Sequence, residues 1–159
     1  MTELIHKPVS VLAVDPGLSG AIARIGRGEV FVARDFKTLK DIADCVRQTA
    51  SFRSPDHIVV EQVGAMPGQG VCSMFSFGKS TGTAFGSLWY GYPDAVIEEV
   101  HPIRWQNWFR SLYGPPKGTP FDSRELALRL LPGHAELFKR KKDHNTADAC
   151  LMALWKLAQ

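Results

Sequence analysis

The stretch Val9-Ser10-Val11-Leu12-Ala13-Val14-Asp15-Pro16-Gly17 decides the fold. Residues 9–14 are apolar and rich in β-branched side chains, and the run stops at Asp15-Pro16-Gly17. That pattern predicts a buried central strand ending in a tight turn. A carboxylate at the end of such a strand is poorly solvated, which is costly unless it meets a cation. Asp-Pro-Gly is also an ordinary turn sequence. The weight given to Asp15 therefore depends on what the rest of the chain brings beside it.

Working outward, residues 20–25 (GAIARI) read as a second strand, residues 26–28 as a turn and residues 29–33 as a third strand. Successive strands with short turns form an antiparallel meander. Helical spacing of Leu39, Ile42, Ala43 and Val46 predicts a first helix over 38–52. His57-Ile58-Val59-Val60-Glu61 is another short buried strand, expected to pair with the first through the helical crossover. If the two are adjacent and parallel, Asp15 and Glu61 emerge at the same sheet edge.

Residues 64–70 read as a loop and residues 73–90 as a long helix in which Gly78, Gly82 and Gly86 recur every fourth position. Each interior glycine costs about 1 kcal/mol relative to alanine, so their common face must serve a close approach, either of the sheet or of a second subunit. A strand over 95–100, a short helix over 103–112 and a Gly-Pro-Pro-Lys-Gly break at 114–118 follow. Asp122 three residues before Glu125 predicts a capping box opening a helix over 123–131, which Pro132-Gly133 ends. A last helix over 145–157 carries Ala147, Cys150, Leu151, Leu154 and Ala158 on one apolar stripe. The order predicts an α/β fold, one mixed five-stranded sheet flanked by helices, with residues 1–159 as a single domain.

Composition agrees with a globular protein: 159 residues, 45% hydrophobic and 22% charged. No apolar run approaches the roughly 20 residues of a membrane helix, and the N-terminus does not read as a signal peptide. The three cysteines, Cys45, Cys72 and Cys150, are scattered and unpaired, which suits thiols in a reducing, cytoplasmic setting. Net charge is only +3 but uneven: Lys139, Arg140, Lys141 and Lys142 are consecutive. Lys79, Arg104, Arg110 and Lys117 lie in segments that also carry Phe77, Trp105 and Trp108. A short basic run is often only a solvated helix end; beside carboxylates it suggests a polyanionic partner.

The third carboxylate is Asp148, within Asp143-His144-Asn145-Thr146-Ala147-Asp148-Ala149. His144 lies four residues before it and Asn145 three, so both share its helical face. Three carboxylates from distant parts of the chain suit hard cations such as Mg²⁺ or Mn²⁺. Two such ions about 3.5–4 Å apart would activate a water and stabilise the leaving 3′-oxygen of a phosphodiester. Singly the signals have plain structural readings: Glu61 as a surface strand end, and Asp148 as a charge favoured near a helix N-terminus.

The segments VLAVDPGLSGAIARI, VVEQV and DHNTADACLMAL together resemble the three acidic motifs of RuvC-type Holliday junction resolvases, especially short phage and prophage members. FSFGKSTGTAFGSL resembles that family's glycine-punctuated helix, and EEVHPIRWQNWF its following strand and Pro-containing segment. The resemblance implies an RNase H-like fold, a homodimer, and a crossover junction endodeoxyribonuclease making paired incisions in branched DNA, in particular four-way junctions. It implies Asp15, Glu61 and Asp148 as catalytic metal ligands for two Mg²⁺ ions, with Mn²⁺ as a substitute. The family's fourth ligand falls at Asn145 here, a departure; His144 is the favoured stand-in and Asp143 its rival. The loop over 64–70 resembles the junction-probing loop, with Met66 as an apolar wedge or a mobile loop residue. Lys79, Arg104, Lys117, Lys139, Arg140, Lys141 and Lys142 are expected to contact DNA phosphates, and Lys117 is also a candidate active-site cation. No membrane and no nucleotide cofactor are expected. Competing readings are an RNase H-like nuclease for RNA or flaps, a junction binder without catalysis, and an actin-like ATPase, for which the chain is too short.

Overall fold

The computed structural model describes residues 9–17, 19–64, 67–114 and 119–159. Strand β1 (Ser10–Asp15) pairs antiparallel with β2 (Ala21–Gly26), which pairs antiparallel with β3 (Glu29–Asp35). Arg27 and Gly28 turn the chain between β2 and β3, both with positive φ (52° and 80°). Two successive left-handed residues suit the right-handed twist of a tight hairpin. Helix α1 (Leu39–Ala50) opens with a reciprocal cap, in which Thr38 accepts from the Asp41 amide and Asp41 from the Thr38 amide. It crosses to β4 (His57–Glu61), parallel to β1, and β5 (Ile97–Val100) adds parallel to β4. The sheet order is β3-β2-β1-β4-β5, as the mixed five-stranded expectation requires.

Between β4 and β5 runs α2 (Val71–Gly91); after β5 come α3 (Pro102–Tyr113), α4 (Ser123–Leu130) and α5 (His144–Leu157). Side chains alternate across each strand. Leu12, Val14, Ile22, Ile58 and Val60 pack with α1 and α2 on one face. Val11, Ala13, Ala23, Val59 and Val100 pack with α3, α4 and α5 on the other. Continuing the second alternation by two residues puts Asp15 and Glu61 on the α5 side.

Four expectations are refined. The α5 stripe is too narrow: Ala149, Met152, Ala153 and Trp155 are buried as well, while Ala158 is exposed, because the helix lies deep against β1 and β2 with α4 packed on it. Pro132-Gly133 ends α4, but the chain then winds through a 3₁₀ segment, Pro132–Phe138, whose Phe138 is fully buried. Such short segments carry no readable period. At α4 the forward half of the cap forms, Asp122 accepting from the Glu125 amide at 2.9 Å. The glycine face of α2 settles on the outer side: a Cβ at Gly78, Gly82 or Gly86 would meet nothing within 4 Å, while Ser80, Ala84 and Leu88 form the buried face. It does not pack on the sheet.

Candidate active site

Asp15 ends β1, and its Oδ1 accepts from the Gly17 amide at 3.2 Å. The turn folds back so closely that a Cβ on Gly20 would stand 2.1 Å from the Asp15 carbonyl oxygen. Only glycine fits there. Glu61 ends β4 one residue past the Val14–Val60 pair, the neighbour of Asp15 across a parallel ladder. Its Oε1 accepts from the indole N–H of Trp105 on α3 at 3.2 Å, and Trp105 is fully buried. Asp148, one turn into α5, has the Ser123 hydroxyl at the start of α4 near enough to favour its ionised form.

The three carboxylates feel one another. Burial pushes Asp15 up from its ordinary range, against the Gly17 amide and the nearby His144, which pull it down. Burial, then the charges of Asp15 and Asp148, push Glu61 up to about 8. Burial and the charge of Asp15 push Asp148 up to about 6, against Ser123 and His144. None of the three makes an ion pair with Lys or Arg among the described residues. Half-buried, mutually repelling carboxylates without a basic partner are the donor set that a hard divalent cation neutralises. Among the described residues the side chains do not close into a ready chelate of three or more Asp, Glu, His or Cys.

His144, exposed at the first position of α5, lines the same groove as Asp148. Its Nδ1 stands 3.3 Å from the Lys141 carbonyl. Asn145 Nδ2 donates to the Ser19 carbonyl, tying α5 to the turn that follows Asp15. Asp143 is differently committed. It is buried, and Arg140 donates to it from its amide at 2.7 Å, from Nε at 2.9 Å and from a terminal nitrogen at 2.7 Å. Burial pushes this carboxyl up, but the Arg140 contacts outweigh it and hold it low. The Asp143 oxygens and the Arg140 guanidinium are engaged with each other, so either would have to leave this pair to meet a metal or a phosphate.

The groove beside Asp148, about 680 Å³, is lined by Lys139, Lys141, His144, Arg124 and Gln106. Lys142 is exposed nearby in sequence. Lys79 is exposed on α2 with its ammonium 5.0 Å from the Phe75 ring. Arg104 stacks over Trp155 at 5.6 Å and reaches Glu98 at 3.8 Å, so it belongs to the α3–α5 surface rather than to the carboxylates. Met66 and Lys117 lie outside the described residues. Sequence reading missed Ser123, Arg124 and Trp105 as site residues. Ser123 was visible only as a helix start, and Trp105 as one aromatic among several.

No family model matches the chain, and no curated protein does. Solved structures do. RuvC of T. thermophilus in complex with a Holliday junction substrate superposes with a TM-score of 0.66 at 13% identity, over 92% of this chain and 91% of that one. The yeast mitochondrial Holliday junction resolvase Ydc2 gives 0.63 at 14% identity, over 98% and 80%. The fold is therefore RNase H-like. Within it, the chain has the fold of the RuvC-type resolvases.

Proposed function

We propose that this protein is a metal-dependent, structure-selective endonuclease that resolves Holliday junctions or related branched DNA by paired phosphodiester hydrolysis. The observation that carries the reading is the electrostatic coupling of Asp15, Glu61 and Asp148, with no basic partner among the described residues, beside a groove lined by Lys139, Lys141 and Arg124. The fold shared with a resolvase solved on its junction adds independent support.

Asp15, Glu61, Asp148 and His144 would hold the metal, two Mg²⁺ ions with Mn²⁺ as substitute. Divalent cations there supply Lewis-acid charge for activating a water and for stabilising the leaving 3′-oxygen. The chain's own part is orientation. Trp105 fixes one oxygen of Glu61, Ser123 holds Asp148, and Asn145 anchors the turn carrying Asp15. Lys139, Lys141, Lys142 and Arg124 would hold the phosphate backbone in the groove; Lys79 and Arg104 would contact DNA further out.

The open glycine face of α2, flanked by the exposed Phe75 and Trp89, supports a homodimer about that helix. A two-fold pair of sites matches the two equivalent strands of a junction. Residues 1–159 would act as one nuclease domain in the cytoplasm of a bacterial or phage-infected cell. No helix is long and apolar enough to cross a membrane among the described residues.

The test is cleavage of a synthetic four-way junction with and without Mg²⁺, beside flapped and linear DNA. Asp148→Asn should lower cutting by well over a hundredfold, since even residues supporting a metal ligand are worth 10–100-fold, while junction binding persists. Unchanged cleavage by the variant overturns the assignment. Binding without turnover in either metal identifies a junction binder instead.

A further inference from the structure

A second site opens at the other end of the sheet. Asp15 lies at the last residue of β1; Ser10, its first, borders a cavity of about 470 Å³. The separation along the strand is about 17 Å. The lining combines three arginines, Arg24, Arg27 and Arg53, with Phe31 and Phe52, which are 52% and 64% exposed. The one acid, Asp56, already accepts from the Val9 and Ser10 amides. Net positive charge, open aromatic faces and a volume within the usual 300–1,000 Å³ of ligand sites therefore coincide.

Arg24 forms part of the cavity wall. It is only 5% exposed and holds the end of α1, its terminal nitrogens donating to the Thr49 and Arg53 carbonyls. Its Nε–H is buried without an acceptor among the described residues. Its charge lies in the cavity wall, which raises the positive potential that Arg27 and Arg53 create there. The Arg24 guanidinium also stands 5.9 Å from the Phe31 ring centroid, so a flat ligand there would meet ring and cation together.

We infer that this cavity is a nucleotide-binding site, taking a base against the phenylalanine rings and a phosphate on Arg27 and Arg53. Bases are planar and stack on aromatic side chains irrespective of sequence. Guanidinium groups suit phosphate by geometry as well as charge. The nucleotide is either free or the unpaired end of a strand.

The experiment is calorimetric titration of the full chain, in EDTA so that metal-dependent binding is silent, with dAMP and separately with the pentanucleotide dT5. Saturable binding of either probe is expected. Phe52→Ala and Arg53→Ala, both at exposed positions, should each weaken it about tenfold, the size of one lost base–aromatic stack. Asp148→Asn should leave it unchanged. Tighter binding of dT5 assigns the site to a DNA strand; tighter binding of dAMP assigns it to a free nucleotide. No saturable binding of either probe, or binding unaffected by both cavity variants, overturns the inference. Junction cleavage is scored on the same variants, so failure here is distinguishable from failure of the nuclease reading.

Discussion

The indole nitrogen of Trp105 donates to Oε1 of Glu61 across 3.2 Å, joining α3 to the end of β4 over 44 residues of sequence. The bond favours the ionised carboxylate, against burial and the charges of Asp15 and Asp148. Trp105→Phe should therefore raise the proton affinity of Glu61 further. The expected outcome is an approximately tenfold weaker Mn²⁺ affinity at pH 7, much of it recovered at pH 9, read by electron paramagnetic resonance. A loss equal at both pH values would assign Trp105 to packing alone.

The same carboxylates set the pH dependence of stability without metal. Glu61 moves from 4.5 to about 8 on folding and Asp148 from 3.8 to about 6. The folded state thus binds protons more tightly than the unfolded chain. The resulting destabilisation is absent below the unfolded values and complete above the folded ones. Thermal melts in EDTA should rise by several degrees as the pH falls from 8.5 to 5. Glu61→Gln should flatten that slope, and Mg²⁺ should stabilise the wild type most at the alkaline end.

Ser123 reaches Asp148 from α4, a contact that orients rather than binds. Ser123→Ala should lower Mg²⁺ affinity by about 10–100-fold, with cleavage recovering at high Mg²⁺. Cleavage that stays low at saturating metal would mean that the hydroxyl acts on the substrate instead.

Gly20 is a steric requirement of the Asp15 turn. With a Cβ 2.1 Å from a backbone oxygen, Gly20→Ala must displace that backbone. A loss of about 3 kcal/mol in denaturant unfolding is expected, together with weakened metal binding.

On α2 the sign reverses. Gly82→Leu meets open space in the protomer and gains about 1 kcal/mol of helix propensity. Thermal stability of the protomer should hold or rise while sedimentation shows loss of the dimer. A dimer that survives would move the interface to another surface.

Both acidic strands could be located from composition alone, because a strand buried on two faces must be continuously apolar and a carboxylate ending it stands out. Val11 to Val14 and Ile58 to Val60 are fully buried as that pattern demands. The helix cap at Asp122 was also local, since a cap joins residues only three apart. The environment of Asp143 was different: four adjacent basic residues gave no sign that one of them, Arg140, would fold back on it. The 3₁₀ segment that buries Phe138 lacked any period to detect.

What the chain carried by itself was the element order and the three carboxylates, because periodicity and chain breaks depend on neighbours a few residues away. What only the folded molecule decided was company. Trp105 beside Glu61, Ser123 beside Asp148, the outward glycine face and the arginine-lined cavity at the far end of β1 all depend on how elements pack. Those contacts join residues tens of positions apart, and a distance in space leaves no trace in local spacing.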